Sequence, residues 1–418
     1  MKWKNPLIVI LGATGSGKTK LSLELAQRFN SEIISADSMQ LYKGLNIITA
    51  KATSEEQRLV PHHLIDILHP SEHYTVLDFR NTVFNIISDL HSRDKVPIIV
   101  GGTNYYIESL LWKILVEEPG SPRINVPGIS SLNEHELPTE ELHKRLQLLD
   151  PNMARRLHPN NKRKILRSLE VLQQKGKRHS DILKEQQSSE GGSSTGGGLR
   201  YPNALILWLQ CNQNILDDRL DKRVDSMIEN GLLKELEDFH CLYNEERIKS
   251  EQQPDYTRGV FQSIGFKEFH QYLLLKSDER VSELGKKLFN ESVLNLKIAT
   301  RRYARKQFRW ITNRFLARAD RQVPPLYGLS TDDLTKWNEN VSKRAIEIVE
   351  HYINDEPCKH EPIPKKSSRS FPNSEDDTFY CENCNRVFIG SHQWTIHLNS
   401  GKHKKILSKK HKELKLQG

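Results

Sequence analysis

The chain has 418 residues and a hydrophobic fraction of 36%, which allows two or three domains with apolar cores. Its formal net charge of +9 favours a polyanionic partner, because clustered Lys and Arg side chains release counterions when they neutralise phosphates. Five cysteines suit a reducing compartment rather than a disulfide scaffold, and no segment approaches the roughly 18 apolar residues that a membrane helix needs. We therefore expect a cytoplasmic protein that can also be nuclear and has no membrane partner. A mitochondrial form would need a presequence that does not precede the first strand here.

Strands and helices alternate over the first 115 residues. Apolar runs predict buried strands at 6–11 and 96–100, and a further strand is predicted at 31–36, just before Asp37. Helical periodicity predicts helices at 18–29 and 79–93. Such alternation is typical of a parallel sheet covered by helices, so we predict an α/β fold. Residues 1–115 would form the first part of its core.

The character of the sequence changes after residue 115. Residues 126–136 are loop-like, 139–174 are mostly helical with breaks near Pro151 and Pro159, and 188–198 have the Gly/Ser composition of a flexible linker. An apolar run at 204–209 predicts a strand that returns to the sheet, which makes 116–200 a mainly helical insertion. Residues 201–355 would complete the core, with helices at 215–242, 261–275 and 284–317. A polar linker at 356–378 precedes a small module at 379–418.

Residues 12–19 read Gly-Ala-Thr-Gly-Ser-Gly-Lys-Thr and match the phosphate-loop pattern G-x-x-x-x-G-K-[ST] between a predicted strand and a predicted helix. Backbone N–H groups of such a loop surround phosphate oxygens, the Lys18 ammonium contacts the terminal phosphate, and the Thr19 hydroxyl can ligate Mg²⁺. The residues predicted to bind the phosphate groups of the ligand are Gly12, Thr14, Gly15, Ser16, Gly17, Lys18 and Thr19.

The loop predicts a P-loop NTPase-like fold but does not identify the ligand, and ATP is one candidate. An ordinary P-loop ATPase carries an apolar strand that ends in Asp and organises the metal. Here the strand at 96–100 ends in Gly-Gly-Thr, and the only strand-terminal acid is Asp37. This difference favours a diphosphate substrate other than a hydrolysed nucleotide.

Several segments together resemble the tRNA dimethylallyltransferase (tRNA isopentenyltransferase) family in its eukaryotic form with a zinc finger. They run in the family's order over about 300 residues: the phosphate loop, Asp-Ser-Met-Gln at 37–40 with Tyr42, Pro-His-His at 61–63, Gly-Gly-Thr-Asn-Tyr-Tyr at 101–106, His-Pro-Asn at 158–160, Arg-Leu-Asp-Lys-Arg-Val at 219–224, Gln-Ser-Ile-Gly-Phe-Lys-Glu at 262–268, and 301–310.

The resemblance implies transfer of a dimethylallyl group from dimethylallyl diphosphate to N6 of the adenosine 3′ of the anticodon, position 37 of tRNA. It implies that Asp37 accepts a hydrogen bond from the amine, while Lys18, Thr19 with Mg²⁺ and Arg223 stabilise the departing diphosphate. Arg219, one helical turn before Arg223, is the weaker candidate. The base must be flipped out of its stack, and the family's pattern places Ser38, Met39, Gln40 and Thr103 around it.

Two segments contain many basic residues and almost no acidic ones. Residues 151–180 contain nine Lys or Arg against one acid, and 297–318 contain eight and no acid, interleaved with aromatic residues. A solvated helix face with an apolar side packed on the core is the alternative to RNA contact. The resemblance implies contacts with the anticodon stem-loop of tRNA from Arg163, Lys164, Arg167, Gln262, Gly265, Lys267, Lys306 and Arg309.

The C-terminal module has the ligand types and spacing of a structural Zn²⁺ site, Cys381-x₂-Cys384-x₁₂-His397-x₅-His403. Phe379, Phe388 and Trp394 lie where a ββα finger needs its apolar core. Four protein ligands leave no open coordination position, which predicts a structural metal. The lysine-rich segment that follows is predicted to contact RNA backbone.

Two alternatives stay open from the sequence, a nucleotide-type kinase on the same fold and a non-catalytic RNA-binding module. A kinase would have no use for so large a basic surface, and an intact Lys18-Thr19 with Asp37 and Arg223 argues against a binding module. We expect a monomeric transferase.

Overall fold

The computed structural model describes residues 5–114, 137–243, 256, 259–365, 377–384 and 386–416. The predicted loop at 126–136 and most of the second half of the predicted linker at 356–378 lie outside these ranges. The chain divides into two compact units, Met1–Lys113 with Leu199–Lys366, and Ile114–Gly198 with Ser367–Gly418. The five-part division drawn from the sequence stays a prediction.

A six-stranded sheet lies at the centre of the first unit. Its strands are β1 Leu7–Gly12, β2 Glu32–Ser35, β3 His62–His63, β4 Pro97–Val100, β5 Ala204–Gln210 and β6 Leu326–Ser330. The spatial order is β3-β2-β4-β1-β5-β6, and every neighbouring pair is parallel. The α/β prediction is confirmed, and β5 returns to the sheet beside β1 after the predicted insertion.

The helices follow the strands in the alternation that a parallel sheet requires. In chain order they are α1 Lys18–Arg28, α2 Ser54–Leu59, α3 Val76–Ser92, α4 Asn104–Leu111, α5 Thr139–Leu149, α6 Pro151–Arg156, α7 Lys162–Lys175, α8 His179–Ser188, α9 Gln213–Glu229, α10 Leu232–Tyr243, α11 His270–Leu273, α12 Ser277–Arg280, α13 Glu283–Ile311, α14 Arg344–Asn354, α15 Ser391–Asn399 and α16 Gly401–Leu416. Within the described ranges, no helix combines the length and the apolar character needed to cross a bilayer.

The main core lies between the sheet and the helices α1 and α14. It is built from apolar side chains that are almost entirely buried, including Ile8, Ile10, Ile98 and Leu207 of the sheet, Leu21 and Leu25 of α1, and Ile348 and Val349 of α14. Continuous apolar strands are typical of a sheet covered on both faces. This packing holds the strand ends, and the loops that follow them, in a fixed arrangement.

The helices α5 to α8 belong to the second unit and have a core of their own, which includes Leu142, Leu146, Ile165 and Leu169. The break near Pro151 has a local cause, because Asp150 caps α6 by accepting from Met153 N at 3.0 Å and proline is favoured in a first helical turn. The same carboxylate accepts from Ser180 N at 2.9 Å and so ties α8 to this corner.

Three local predictions from the sequence were wrong. The helix predicted at 261–275 is a 3₁₀ turn, Gly259–Gln262, followed by turns and the short α11, because Gly265 has a φ of 111° that a helix does not allow. The helix predicted at 215–242 is two helices that meet at Gly231. The tract at 188–198 is not an open linker, since Ser193 and Gly196 pair through two backbone hydrogen bonds of 2.8 and 3.0 Å.

Candidate active site

A cleft opens at the carboxyl ends of β1, β2 and β4, where polar loops follow buried strands. It brings together residues that the sequence placed in separate motifs: Thr14, Gly15, Gly17, Lys18 and Thr19 of the phosphate loop, Asp37 and Gln40 after β2, Gly101 and Gly102 after β4, and Arg223 of α9. Tyr303 and Gln307 of α13 complete this part of its wall. The carboxyl edge of a parallel sheet is where ligands bind in such folds.

The phosphate loop ends at the first residue of α1, so the helix presents its unpaired N–H groups to the cleft. No side chain caps this end, and its N-cap residue Gly17 has a φ of 92° with the Trp337 ring packed closely against it. Lys18 Nζ donates to the carbonyl oxygen of Ala13 at 2.9 Å, while Thr19 is exposed beside it. This end of α1 therefore offers backbone N–H groups, an ammonium and a hydroxyl to an anion.

The charged groups of the cleft influence one another's protonation. Burial lowers the pKa of Lys18 to about 8, an effect that Asp37 opposes and Arg223 increases. Burial also raises the pKa of Asp37 above its ordinary value, against the backbone N–H of Met39 and the charges of Lys18 and Arg223. The pKa of Arg223 is lowered by burial, and Asp37 opposes this shift. Two cations and one carboxylate thus share the cleft, which favours an anionic ligand.

The loops after β2 and β4 hold each other through short polar contacts. Ser38 N donates to the Thr103 hydroxyl at 3.0 Å, and that hydroxyl donates to Ser38 Oγ at 3.2 Å. Met39 N donates to Asp37 Oδ1 at 3.0 Å, which fixes the carboxylate and leaves Oδ2 for the cleft. A side chain at Gly102 would lie 3.3 Å from Asp37 Oδ2 and would press on Gln307, so glycine keeps this approach open.

Gln40 lines the cleft, but the oxygen and the nitrogen of its side-chain amide already form hydrogen bonds within the protein. Its Oε1 accepts from Ser35 Oγ at 2.9 Å, and its Nε2 donates to the carbonyl oxygens of Thr49 and Ala50 at 3.2 and 3.1 Å. The same loop is held by the buried Lys51 ammonium, whose three N–H donors lie within hydrogen-bond distance of four oxygen atoms, those of the Tyr42 and Gly44 carbonyls and of the Asn46 and Asp66 side chains. Gln40 therefore shapes the pocket wall.

Tyr303 and Gln307 are site residues that the sequence interpretation did not assign. The Gln307 side chain accepts from Thr14 N at 2.8 Å and donates to the Gly102 carbonyl oxygen at 2.9 Å. Tyr303 Oη donates to the same carbonyl oxygen at 3.2 Å. They lie four residues apart on α13, within a run rich in basic residues, and this spacing is the sequence signal that could have identified them.

A ladder of ion pairs joins α13 to α9, the helix that carries Arg223. Its three rungs join side chains four residues apart on each helix: Lys297 with Asp225, Arg301 with Asp221, and Arg305 with Asp217. In this arrangement Arg223 lines the cleft. Arg219 instead donates to the Thr331 carbonyl oxygen at 2.9 Å and does not line the cleft.

The ladder also changes the interpretation of the basic run at 297–318. Half of its eight cations, Lys297, Arg301, Arg305 and Arg314, pair with acids of the protein itself. Arg314 pairs with the fully buried Glu108, which also accepts from Trp310 Nε1 at 3.1 Å. Arg302, Lys306 and Arg309 are exposed, and no carboxylate of the described chain lies within ion-pair distance of them. They form one stripe on α13.

The other residues predicted to contact RNA lie in different environments. Gln262 and Lys267 are exposed, whereas Gly265 is buried against Ile48 and so has a packing reason to be glycine. Arg163 and Lys164 are exposed on α7 of the second unit, where the half-buried Arg167 pairs with Glu170 at 3.4 Å. Their roles stay predictions.

The C-terminal module has the geometry of a zinc finger. Strands β7 Thr378–Cys381 and β8 Arg386–Ile389 are antiparallel and precede α15. Ligand atoms of Cys381, Cys384, His397 and His403 all lie within 4.8 Å of one another, and His397 Nε2 is buried without a hydrogen-bond partner. A Zn²⁺ ion would satisfy that nitrogen. Phe379 stacks on Trp394 with ring centres 5.5 Å apart, and Phe388 lies 5.8 Å from the same ring, which confirms the apolar core.

Three family models match this chain. The IPP transferase model matches residues 40–314 and the isopentenyl transferase model matches 5–67, so together they cover the phosphate loop and the cleft. A zinc-finger double-stranded RNA-binding model matches residues 378–404. The division between a catalytic part and a finger agrees with the geometry of each.

Whole-chain relatives agree with these matches. The tRNA dimethylallyltransferases of Mus musculus and Homo sapiens are each 47% identical over 412 residues, 97% of this chain and 86% of the relative. The tRNA dimethylallyltransferase of Saccharomyces cerevisiae is 34% identical over 417 residues, 96% of this chain and 92% of its own length.

Solved structures give the same assignment. A eukaryotic dimethylallyltransferase acting on tRNA is 31% identical, covers 99% of both chains and superposes with a TM-score of 0.80. The tRNA isopentenylpyrophosphate transferase of Bacillus halodurans is 30% identical and covers 84% of this chain and 98% of its own, with a TM-score of 0.50. With the phosphate loop, the acid after β2 and the arginine of α9 in one cleft, these likenesses establish that the chain belongs to the IPP transferase family, the family of the tRNA dimethylallyltransferases.

Proposed function

We propose that this enzyme transfers the dimethylallyl group of dimethylallyl diphosphate to N6 of the adenosine 3′ of the anticodon, position 37 of tRNA. The products are N6-isopentenyladenosine and diphosphate. The observation that carries the proposal is the meeting of a carboxylate, Asp37, with the cations Lys18 and Arg223 in one cleft at the phosphate loop. The carboxylate can accept a hydrogen bond from the nucleophile, and the two cations can bind the anionic leaving group.

The phosphate side of the cleft is suited to the leaving group. When the bond between the allylic carbon and the diphosphate oxygen breaks, negative charge grows on the diphosphate. Lys18, Arg223 and the N–H groups at the start of α1 are already in place, so little reorganisation is needed as that charge develops. Removal of one such donor typically costs about 100- to 1,000-fold in rate.

Mg²⁺ fits the same end of the cleft. Thr19 exposes a hydroxyl beside Lys18, which is an oxygen ligand of the type that Mg²⁺ prefers. When bound, the ion would neutralise charge on the diphosphate. Lys18 and Arg223 would contact diphosphate oxygens in the same cleft.

Asp37 is suited to the nucleophile. The exocyclic amine of adenine is weakly basic, so a carboxylate that accepts its hydrogen bond raises its reactivity and takes up the proton lost on alkylation. Met39 N holds Asp37 Oδ1, which leaves Oδ2 beside Gly102 for the amine. Ser38, Met39 and Thr103 would border the flipped base, and Gln40 would keep their loop in place.

Exposed cations outside the cleft support contact with the anticodon stem-loop. Arg302, Lys306 and Arg309 form a stripe on the helix whose inner face carries Tyr303 and Gln307. Arg163, Lys164, Arg167, Gln262 and Lys267 are further proposed contacts, and the finger with its lysine-rich helix would add phosphate contacts. We propose that the enzyme is monomeric. The free cysteines suit the cytoplasm or the nucleus.

The deciding experiment is mass spectrometry of nucleosides from an unmodified tRNA with adenosine 3′ of its anticodon, incubated with the protein, dimethylallyl diphosphate and Mg²⁺. We expect one adenosine that is heavier by one dimethylallyl group. A matched tRNA with guanosine at that position should stay unmodified. Tight binding of tRNA without product would contradict the proposal and favour an RNA-binding module.

The kinase alternative is tested in the same assay with ATP as the only donor. A phosphorylated product would favour a kinase. The described cleft argues against one, because β4 ends in Gly101-Gly102-Thr103 and supplies no acid to organise a nucleotide-bound metal.

A further inference from the structure

The buried amide of Gln307 joins two loops that serve different halves of the cleft. Its Oε1 accepts from Thr14 N in the phosphate loop at 2.8 Å, and its Nε2 donates to the carbonyl oxygen of Gly102 at 2.9 Å. Because a backbone N–H can only donate and a carbonyl oxygen can only accept, the two partners determine the orientation of the amide. One planar group therefore spans the distance from the diphosphate side to the Asp37 side.

The surroundings of Gln307 leave this connection little freedom. Its side chain belongs to a residue that is 3% exposed, and its own carbonyl oxygen accepts from Asn104 Nδ2 at 3.2 Å. Tyr303, one turn earlier on α13, donates to the same Gly102 carbonyl oxygen. A shift of the phosphate loop must therefore either break a buried hydrogen bond or move α13 and the loop after β4 with it.

Resting on the proposed function, we propose that Gln307 is a positioning residue that couples the two substrate sites. A diphosphate that orders the phosphate loop also orders the loop that holds Gly102, and so raises the affinity of the cleft for the target base. By linkage, RNA raises the affinity for the diphosphate by the same factor. The reaction benefits because a misplacement of about 1 Å between donor carbon and acceptor nitrogen can cost on the order of 100-fold in rate.

The test measures this coupling directly in the full chain. Calorimetry gives the affinity for inorganic diphosphate alone and with a saturating anticodon stem-loop RNA, and the ratio of the two affinities is the coupling factor. We expect a factor of about 5 to 150 in the wild type, the usual range for coupled sites. Gln307→Met keeps the volume and removes both hydrogen bonds, so the factor should fall to about 1 while each ligand still binds within a few-fold.

Two further variants separate coupling from folding. Asn290→Met makes a comparable change at an exposed amide of the same helix and should keep the wild-type factor. Gln307→Glu keeps an oxygen for Thr14 N and removes the donor to Gly102, so it should also lose the coupling, and it replaces the methionine variant if that protein does not fold. Dimethylallyl transfer by the Gln307 variants should show a lower kcat, and the KM for each substrate, measured with the other substrate saturating, should rise by about the lost coupling factor.

The outcomes distinguish this inference from the function on which it rests. A factor near 1 in the wild type, or an unchanged factor in the Gln307 variants, would overturn the coupling role while the transferase assignment stands. A wild-type protein that binds neither diphosphate nor the RNA would overturn the proposed function itself.

Discussion

At the scale of single residues, the site needs a negative and a positive side chain in one buried cleft, although burial favours the neutral form of each. Asp37 has to stay ionised to accept a hydrogen bond, although burial raises its pKa. Lys18 has to stay protonated to bind phosphate, although burial lowers its pKa to about 8. The charge of Lys18 offsets part of the free-energy cost of burying the charge of Asp37, and the reverse also holds. Removing either charge therefore changes the pKa of the other group.

The first residue-scale prediction concerns Asp37→Asn. The amide has nearly the shape of the carboxylate but cannot take up the proton of the amine, so the single-turnover rate should fall by about 100- to 10,000-fold. The affinity for tRNA should stay within a few-fold. Asp218→Asn, at an exposed acid of α9, is the control and should be fully active. Full turnover by the Asp37 variant would remove this carboxylate from the mechanism.

The second residue-scale prediction concerns pH and Lys18. Only the ammonium form binds phosphate, and its pKa is about 8, so the affinity for inorganic diphosphate should fall as pH rises through 8. Lys18→Arg keeps its charge at high pH, and the affinity of the wild type relative to this variant should fall about tenfold per pH unit above 8. Calorimetric titration of both proteins at a series of pH values measures the ratio. If the ratio does not change with pH, the loss of diphosphate affinity at high pH must come from the titration of another group.

At the scale of elements, two helices decide where the functional side chains point. The ladder of Lys297–Asp225, Arg301–Asp221 and Arg305–Asp217 fixes α13 against α9 in one register. In this register the inner face of α13 presents Tyr303 and Gln307 to the cleft, and α9 presents Arg223. The cations at 297–318 suggest RNA binding along the whole run. Half of them instead pair with acids of the protein, and Arg302, Lys306 and Arg309 form the exposed stripe.

The element-scale prediction is that this ladder contributes measurable coupling energy. In a double-mutant cycle, Arg301→Ala and Asp221→Ala should show a coupling of about 0.5 to 1 kcal/mol in the free energy of unfolding. The pair is partly buried, with side chains 24% and 33% exposed, so screening by salt should reduce the coupling without abolishing it. A cycle between Arg301→Ala and Asp218→Ala is the matched control and should give none. Equal values in the two cycles would show that the ladder has no register role.

At the scale of the whole molecule, the chain combines a catalytic sheet with a finger that resembles RNA-binding modules. The finger model matches residues 378–404, and α16 continues beyond it with a lysine-rich sequence. Its four metal ligands come from one short segment, so zinc stabilises the finger and has no open position for chemistry. Its contribution should therefore lie in binding RNA.

The molecule-scale prediction concerns a chain that ends at residue 375. Loss of the finger and its lysines should weaken tRNA binding roughly tenfold or more at physiological salt, because phosphate contacts are lost. The single-turnover rate at saturating tRNA should not change. The full-length double variant Cys381→Ser/Cys384→Ser, which cannot hold zinc, should show a loss of the same kind. A collapse of the saturated rate would mean that the finger also acts in the chemical step.

Several features of this protein were determined by local sequence alone. The phosphate loop and the zinc ligands have fixed spacings, and β1, β4 and β5 are nearly continuous apolar runs. Backbone chemistry explains why this suffices, since a glycine-rich turn before a helix binds anions and four soft ligands close a metal site wherever they occur. The same reasoning failed at 261–275, where the positive φ of Gly265 and its contact with Ile48 depend on a distant loop.

Only the tertiary structure decided which residues share the cleft and what each of them can do. Asp37, Arg223 and Gln307 are separated by 84 residues or more along the chain. They meet because Asp37 follows β2 at the carboxyl edge of the sheet, and the helices α9 and α13 bring Arg223 and Gln307 to the same cleft. Packing also decided which cations pair within the protein, because Asp217, Asp221, Asp225 and Glu108 neutralise half of the basic run. Such pairings depend on helix register, which is set by the contacts between elements and not by the composition of either one.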